Sequence, residues 1–294
     1  MAHFIQYIPR HVVTVIPVDP ESPWYSQQQP DSAGFFRPDT HVLASDAIAN
    51  IVAPGDTIWV ISQLHGPQGA PLSCVLPVAL DARIDVVEVG AARLGGIEAK
   101  PGPASCWFRL ADATLLLADL NSITATGKTT SLAVKPNTKV GSKFQSMRRI
   151  EDARPLLAWG EWLNREPFDF ISYRHADGTY AAFGKVLDLI QRERRIMFWD
   201  RWGLPRRLAE RREGVSSPTL DAHLEAVVRG AAFVYGVESP SYRNTDTYSL
   251  REARLAEQLG RFQAVPWMPT PPTARSRTRD PWLVVKTDKG PVVV

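Results

Sequence analysis

Residues 168–174 read Phe-Asp-Phe-Ile-Ser-Tyr-Arg, an apolar, β-prone run that passes directly into polar residues. The same arrangement returns in Ile-Met-Phe-Trp-Asp-Arg-Trp at residues 196–202, and in the apolar run 231–237, which leads to Ser-Pro-Ser-Tyr at 239–242. Helical patterns separate these blocks. Because parallel strands that alternate with helices present polar side chains beyond their carboxyl ends, the blocks predict a parallel α/β sheet with functional groups along that edge.

The rest of the chain predicts a second, mostly β unit in front of this sheet. Pro54-Gly55-Asp56 predicts a turn before a buried strand. Gly127-Lys128-Thr129 resembles the end of a phosphate-binding loop, but strand-like sequence follows it, so a hairpin turn is the better interpretation. The other predicted elements are strands at 57–62, 73–80, 84–89, 106–110, 113–117 and 262–267, and helices at 45–52, 179–192, 220–228 and 247–259.

These elements predict four regions along the chain. A β-rich domain spans residues 1–140, and a helical connector spans 141–166. Trp159 and Trp162 of the connector are expected to pack one domain onto the other rather than bind a ligand. The regions that follow are an α/β domain at 167–268 and a tail rich in Pro and Arg at 269–294, which contains one edge strand.

Composition excludes several classes of protein. The 294 residues carry 34 Lys and Arg against 31 Asp and Glu, a balance that favours neither a nucleic-acid-binding nor a membrane-surface protein. The two cysteines, Cys74 and Cys106, form no CxxC motif and no metal-ligand spacing with histidine. No apolar run approaches about 18 residues, and no signal peptide pattern opens the chain. We therefore expect a soluble, cytoplasmic protein with no metal and no membrane partner.

Residues 168–267 resemble a TIR domain, the Toll/interleukin-1 receptor type, in its bacterial form. Matching blocks occur in the family's order: the first strand and its exit at 170–174, the second strand at 198–200, the loop after it at 201–218, and the third-strand exit at 239–242. The resemblance implies a flavodoxin-like parallel sheet for the carboxy-terminal domain. It leaves the mostly β amino-terminal domain unexplained.

The amino-terminal domain has only a weak resemblance of its own. The turn and strand entry at residues 52–60, Val-Ala-Pro-Gly-Asp-Thr-Ile-Trp-Val, are similar to PUA or EVE-type β domains, which bind modified bases or RNA. An ordinary hairpin turn in an unrelated β domain is the alternative.

The TIR resemblance also implies an activity. Enzymes of this family cleave the nicotinamide–ribose bond of NAD+ with a glutamate in the pattern Ser-x-Trp-Cys-x-x-Glu, and residues 246–252 read Asp-Thr-Tyr-Ser-Leu-Arg-Glu. Glu252 occupies the catalytic position, while Asp, Tyr and Ser replace the family's Ser, Trp and Cys. NAD+ is then the substrate, and no further cofactor is needed. The alternative for Glu252 is a solvated helix residue paired with Arg251 or Arg254.

The chemistry explains why one carboxylate is needed. Breaking the bond from ribose C1 to a cationic nicotinamide passes through an oxocarbenium-like state, which a nearby anion stabilises. The leaving group departs neutral and needs no general acid, in contrast to the two carboxylates of ordinary glycoside hydrolysis.

Four further residues are candidates for binding the substrate. Tyr248 lies one helical turn before Glu252 and is expected to stack against nicotinamide or ribose. Arg174 follows the first strand, where it would approach a phosphate or the adenosine ribose, with a plain surface charge as the alternative. Tyr173 and Trp202 are expected to bound the same cleft, or Trp202 to form an assembly contact. Because Trp199 lies so near Trp202, core packing is expected for neither tryptophan.

These expectations combine into an NAD+ glycohydrolase that serves as an antiphage or stress effector. Self-association through the TIR domain, with an activating partner or ligand at the amino-terminal domain, would switch it on. Cyclisation to cyclic ADP-ribose, or base exchange, remains open beside hydrolysis. The alternative is a non-enzymatic TIR interaction module that assembles through its arginine-rich loop.

Overall fold

A computed structural model describes residues 1–8, 41–43, 51–64, 77–91, 97–134, 140–144, 146–199, 218–244, 247–269, 284–287 and 290–293. The first part of the chain contains, in order, β1 His3–Tyr7, β2 His41–Leu43, β3 Thr57–Gln63, β4 Val78–Ala91, β5 Ile97–Pro101, β6 Cys106–Trp107, α1 Thr114–Ala118, β7 Asn121–Ile123, β8 Thr129–Ser131, α2 Val140–Lys143, β9 Arg148–Arg149 and α3 Arg154–Arg165.

The second part alternates strands and helices. Its elements are β10 Phe168–Ser172, α4 His175–Leu187 with a π-helical turn at Asp188–Arg192, β11 Ile196–Phe198, α5 Pro218–Gly230, β12 Val234–Glu238, α6 Tyr248–Gln258, β13 Phe262–Pro266, β14 Val284–Thr287 and β15 Gly290–Val293.

Within the described residues, the amino-terminal strands form a mostly antiparallel sheet in the order β2-β5-β4-β3-β1-β9, with β6 also paired to β4. The turn before β3 is of type II, because Gly55 has φ 92° and the Asp56 N–H donates to the Ala53 carbonyl at 3.0 Å. The predicted turn is therefore confirmed. The predicted hairpin at Gly127, where φ is 80°, is also confirmed, since it joins the paired strands β7 and β8.

Four carboxy-terminal strands form a wholly parallel sheet in the order β11-β10-β12-β13. β10, β11 and β12 are almost wholly buried, as expected for the apolar blocks of the sequence, whereas β13 is mostly exposed. The predicted parallel sheet is confirmed. Alternate residues of β10 face opposite sides. Phe170 belongs to the hydrophobic cluster that includes Val228 of α5 and Ala256 of α6, whereas Ile171 belongs to the one that includes Phe183 of α4.

The two sheets are in direct contact. Leu110 and Met197 exchange backbone hydrogen bonds of 3.0 and 2.8 Å, which link the amino-terminal unit to β11. Helix α3 packs on the amino-terminal sheet, where a Cβ at Gly160 would lie only 3.2 Å from the Phe108 ring. One hydrophobic cluster includes Trp59 together with Phe170. The division into domains at residue 140 stays a prediction.

Three local predictions are wrong. Where a strand was predicted at 113–117, residues 114–118 form a helix, and Asp112 accepts the Thr114 N–H at 2.9 Å in the turn before it. A short run of leucines has no period that would separate the two structures. The strands predicted at 73–80 and 84–89 lie, where they are described, in one strand, β4, in which one carboxylate oxygen of Asp85 accepts from Thr57 and Arg83.

The third correction concerns Trp199, which is completely buried in the cluster beneath α4. A tryptophan at the end of a parallel strand can still be core, because both faces of such a sheet are covered. The predicted helix at 45–52 lies mostly outside the described residues. In the tail, β14 pairs antiparallel with β15.

Alkaline pH is expected to destabilise the protein through Tyr7. Burial, reinforced by the charge of Asp81, raises the pKa of Tyr7 from 10.0 to about 12. A folded-state pKa above the unfolded value means that the stability contribution is complete below pH 10 and is lost as pH rises toward 12. Thermal unfolding of wild type and Tyr7→Phe across this range should show a shallower decline for the variant. An identical decline would contradict this assignment.

Candidate active site

Helix α6 places Glu252 against the sheet. The Thr247 hydroxyl caps the helix by accepting the Leu250 N–H at 3.2 Å. From this start, Ser249, Glu252 and Ala253 share the buried face, and Glu252 is only 8% exposed. The solvated helix residue considered as the alternative is therefore excluded by burial.

Arg251, one of the arginines suggested as a surface partner for Glu252, points elsewhere. Its Nη1 lies 3.3 Å from Asp221, and its guanidinium lies 5.8 Å from the centre of the Tyr248 ring.

Two buried hydroxyl groups connect Glu252 to the ends of β10 and β12. Tyr242 Oη donates to Ser172 Oγ at 2.9 Å, and Ser172 Oγ donates to Glu252 Oε2 at 2.5 Å. The second distance is that of a charge-assisted hydrogen bond between a hydroxyl and a carboxylate. We call Tyr242, Ser172 and Glu252 the hydroxyl–carboxylate chain.

The direction of the chain follows from the protonation of Tyr242. Burial raises the pKa of Tyr242 well above its usual range, and the negative charge of Glu252 raises it further. The phenol therefore stays protonated and acts as the donor to Ser172. Ser172 has a single proton, which is directed to Glu252, so the carboxylate is held in one orientation.

Gly236 of β12 makes room for this chain. A Cβ at this position would lie 2.6 Å from Tyr242 Oη and 2.4 Å from the Phe262 ring, closer than side chains approach one another. The absence of a side chain at Gly236 is therefore what lets Tyr242 reach Ser172.

Gly236→Ala is expected to lower the free energy of unfolding by about 1–3 kcal/mol through overpacking. Urea denaturation measures the change. Gly184→Ala is the matched control, because Gly184 lies in α4 with nothing within 4 Å of its would-be Cβ, and the substitution should stabilise the helix by about 0.5–1 kcal/mol. Equal effects of the two substitutions would contradict the close packing at Gly236.

Asp177 is hydrogen-bonded to the segments that follow strands β12 and β13. Its carboxylate accepts from Ser239 at 3.0 Å and from Ser241, and its backbone carbonyl accepts from Trp267 Nε1 at 2.8 Å. The hydrogen bond from Ser241 is the main cause that lowers the pKa of Asp177, and the charge of Arg174 contributes. The segments after β12 and β13 are thus fastened to the first turn of α4.

Sequence reasoning did not identify Ser172, Tyr242 or Asp177. Ser172 and Tyr242 stand in the quoted blocks, but nothing in those blocks shows that they meet Glu252. An acidic residue in the first turn of a helix was the signal available for Asp177.

The predicted substrate-binding residues lie in different places. The buried Tyr173 ring packs 6.4 Å from that of Trp199 in the α4 cluster, so it lies across the sheet from α6 and Glu252. Arg174 is the half-buried N-cap residue of α4. Tyr248 opens α6, and its buried hydroxyl has no hydrogen-bond partner in the described part of the chain. Trp202 lies outside the described residues.

The described residues contain no group of three or more His, Cys, Asp or Glu side chains that could hold a metal ion. None of the helices in the described ranges is both long and apolar enough to span a bilayer. Cys106 is a half-buried free thiol whose pKa is raised by burial, and Cys74 is outside the described ranges.

Comparisons with protein-family models, with curated proteins and with solved structures give no match for this chain. The functional assignment therefore depends on the order of the sequence blocks and on the geometry of the site. That geometry is a buried carboxylate, oriented by a serine, near the carboxyl ends of two adjacent parallel strands. Such a group is suited to stabilising positive charge that develops on a bound molecule.

Proposed function

We propose that the chain is a TIR-type NAD+ glycohydrolase in which Glu252 stabilises the ribose cation. The observation that carries the proposal is the Glu252 carboxylate, 8% exposed and anchored by Ser172 at 2.5 Å. A carboxylate in so buried a position costs stability unless it is hydrogen-bonded, and Ser172 supplies that hydrogen bond. The presence of the carboxylate at this position is what a site for a cationic reacting centre requires.

The topology of the sheet supports the same proposal. The order β11-β10-β12-β13, with helices on both faces, is the order that the first four strands of a flavodoxin-like sheet would have. In such sheets ligands bind beyond the carboxyl ends of the strands, where the first and third strands are neighbours and the connections diverge. Ser172 ends β10 and Tyr242 follows β12, so the hydroxyl–carboxylate chain is located at this switch point.

In the proposed reaction, the bond between ribose C1 and the nicotinamide nitrogen breaks, and its electron pair leaves with nicotinamide. The cation left on the ribose is stabilised by Glu252, whose orientation is set by Ser172. Water then adds to C1, giving ADP-ribose, and releases one proton. An internal nitrogen of the adenine in place of water would give the cyclic product.

Three other residues have proposed roles around this centre. Tyr248 would contact nicotinamide or ribose, and Arg174 would contact a phosphate or the adenosine ribose. Trp202 would cover the open side of the NAD+ cleft. The Tyr248 hydroxyl is buried and unpaired within the described residues, which suits a donor to a bound substrate. Tyr173 is given a packing role.

The biological part of the proposal comes from the resemblance. The chain would act in the cytoplasm as an antiphage or stress effector, and TIR self-association would activate it. The amino-terminal sheet would receive the activating partner or ligand.

A non-enzymatic TIR interaction module is the second candidate. The hydroxyl–carboxylate chain favours this alternative, because a buried carboxylate with a strong hydrogen bond can also serve only to hold α6 against the sheet. In this case Glu252 would be needed for stability alone.

The experiment that tests the proposal is incubation of the full chain with NAD+ over a wide range of protein concentrations. Chromatography would quantify nicotinamide, ADP-ribose and cyclic ADP-ribose. We expect nicotinamide in an amount equal to the sum of the two ribose products, with a rate per chain that rises on self-association. Self-association without nicotinamide release would favour the interaction module.

A further inference from the structure

We infer that a small pocket between helices α1 and α3 and the connection from α4 to β11 binds a planar aromatic molecule that carries one anionic group. The pocket has a volume of about 220 Å³ and is lined mainly by apolar side chains. Helix α1, helix α3 and the segment between α4 and β11 form its walls. None of its lining residues belongs to the hydroxyl–carboxylate chain, so it is a different site from the proposed NAD+ cleft.

The pocket lies beside the backbone bridge that joins the two sheets. Ala111, which follows the bridging residue Leu110, forms one part of its wall, and Arg195, two residues before Met197, forms another. A molecule in this pocket would therefore contact the amino-terminal unit and the connection between α4 and β11 at once.

The aromatic part of the inference comes from α3. Trp159 and Trp162 lie three residues apart on one helix face, with ring centroids 4.8 Å apart and ring planes at 52°. Trp159 Nε1 is buried and has no hydrogen-bond partner among the described residues. Leu115 adds an apolar surface that is 57% exposed. A flat ring system would cover these surfaces, and the two tryptophans have more than the packing role expected from sequence.

The anionic part of the inference comes from Arg194. Its side chain is 53% exposed, and its Nη1 lies 3.8 Å from Asp112, which is longer than a charge-assisted hydrogen bond. The adjacent Arg195 is already paired with Asp169, to which it donates two hydrogen bonds of 2.7 Å. Asp112 is itself buried and accepts the Thr114 N–H, and Arg194 lies beside its charge without a hydrogen bond to it. One guanidinium is thus presented to the pocket, which suits a single carboxylate or phosphate.

The backbone at Arg194 is a second, independent sign of a ligand site. Its φ is 56°, and among the described residues it is the one non-glycine with positive φ. It follows the π-helical turn Asp188–Arg192. Unfavourable backbone conformations and π-helical turns are both concentrated at binding and catalytic sites, because function maintains them against their cost.

The volume limits the size of the ligand. Pockets that hold drug-sized molecules measure about 300–1,000 Å³. A pocket of about 220 Å³ holds a single ring system and is too small to enclose a dinucleotide such as NAD+. The ligand class is therefore a small aromatic acid.

Calorimetric titration of the full chain with indole-3-acetate tests the inference. Indole-3-acetamide is the neutral comparison, and cyclohexylacetate is the non-aromatic acid. The variants are Arg194→Asn, whose asparagine tolerates positive φ, and the matched control Arg192→Asn, which removes an exposed charge outside the pocket. Thermal unfolding of each variant verifies that it is folded.

Wild type should bind indole-3-acetate at least about tenfold more tightly than either comparison compound. The amide lacks the charge-assisted contact, and cyclohexylacetate lacks the aromatic surface. Arg194→Asn should weaken binding of the acid about tenfold and bind acid and amide equally. Arg192→Asn should behave as wild type. The inference is overturned if wild type shows no saturable binding in the millimolar range, if acid and amide bind equally to it, or if Arg194→Asn binds undiminished.

Discussion

Replacing Glu252 with glutamine is expected to reduce nicotinamide release from NAD+ at least about 100-fold, the size of effect found when one group that stabilises a transition-state charge is removed. Glutamine has the same shape, and its carbonyl oxygen can still accept the Ser172 hydroxyl, so the fold should remain cooperative. The loss should therefore appear in kcat rather than in stability. This separation distinguishes a catalytic carboxylate from a structural one.

Two further variants complete the test of Glu252. Glu257→Gln removes an exposed glutamate of the same helix, paired with Arg243 at 2.9 Å, and should leave the rate unchanged. Ser172→Ala should lower kcat less than Glu252→Gln does, because it loosens the carboxylate without removing its charge. Wild-type activity in Glu252→Gln would exclude a catalytic role.

Replacing Arg195 with alanine is expected to lower the free energy of unfolding by about 3–5 kcal/mol, the usual cost of breaking a buried ion pair. Asp169, in the middle of β10, is 0% exposed. Arg195 holds it with two hydrogen bonds of 2.7 Å, and the Phe233 N–H donates a third at 3.2 Å. The alanine variant leaves a wholly buried carboxylate without its cation.

Urea denaturation measures this effect, and Arg192→Ala is its control. Arg192 makes an exposed pair with Asp188 within the π-helical turn, so its loss should cost less than about 0.5 kcal/mol. A loss of under 1 kcal/mol in Arg195→Ala would contradict the importance assigned to the buried pair.

The parallel sheet could be predicted from the sequence because its signal is local. Strands buried on both faces read as apolar runs, and those at 168–172 and 196–198 are apolar except for Asp169 and Ser172. Where the signal was ambiguous, the prediction failed. The leucines of α1 suit either structure, and the hydrogen bond from the Thr114 N–H to Asp112 just before the helix depends on local geometry.

The candidate site could be predicted only in part. The motif order placed Glu252 on the helix after the third strand, but its anchor Ser172 is 80 residues away and depends on how α6 packs against β10. Tyr173 shows the opposite error, because it was predicted to bound the site and lies outside it. It stands next to Ser172 in the chain, yet the alternation of side chains along a strand sends it to the opposite face.

The most direct test of the central claim is the rate of nicotinamide release by wild type and by Glu252→Gln, measured side by side on folded protein over the same concentration series. The account predicts release by wild type, rising with self-association, and a loss of at least about 100-fold in the variant. A wild-type chain that releases no nicotinamide at any concentration, or a variant that releases it at the wild-type rate, would contradict it.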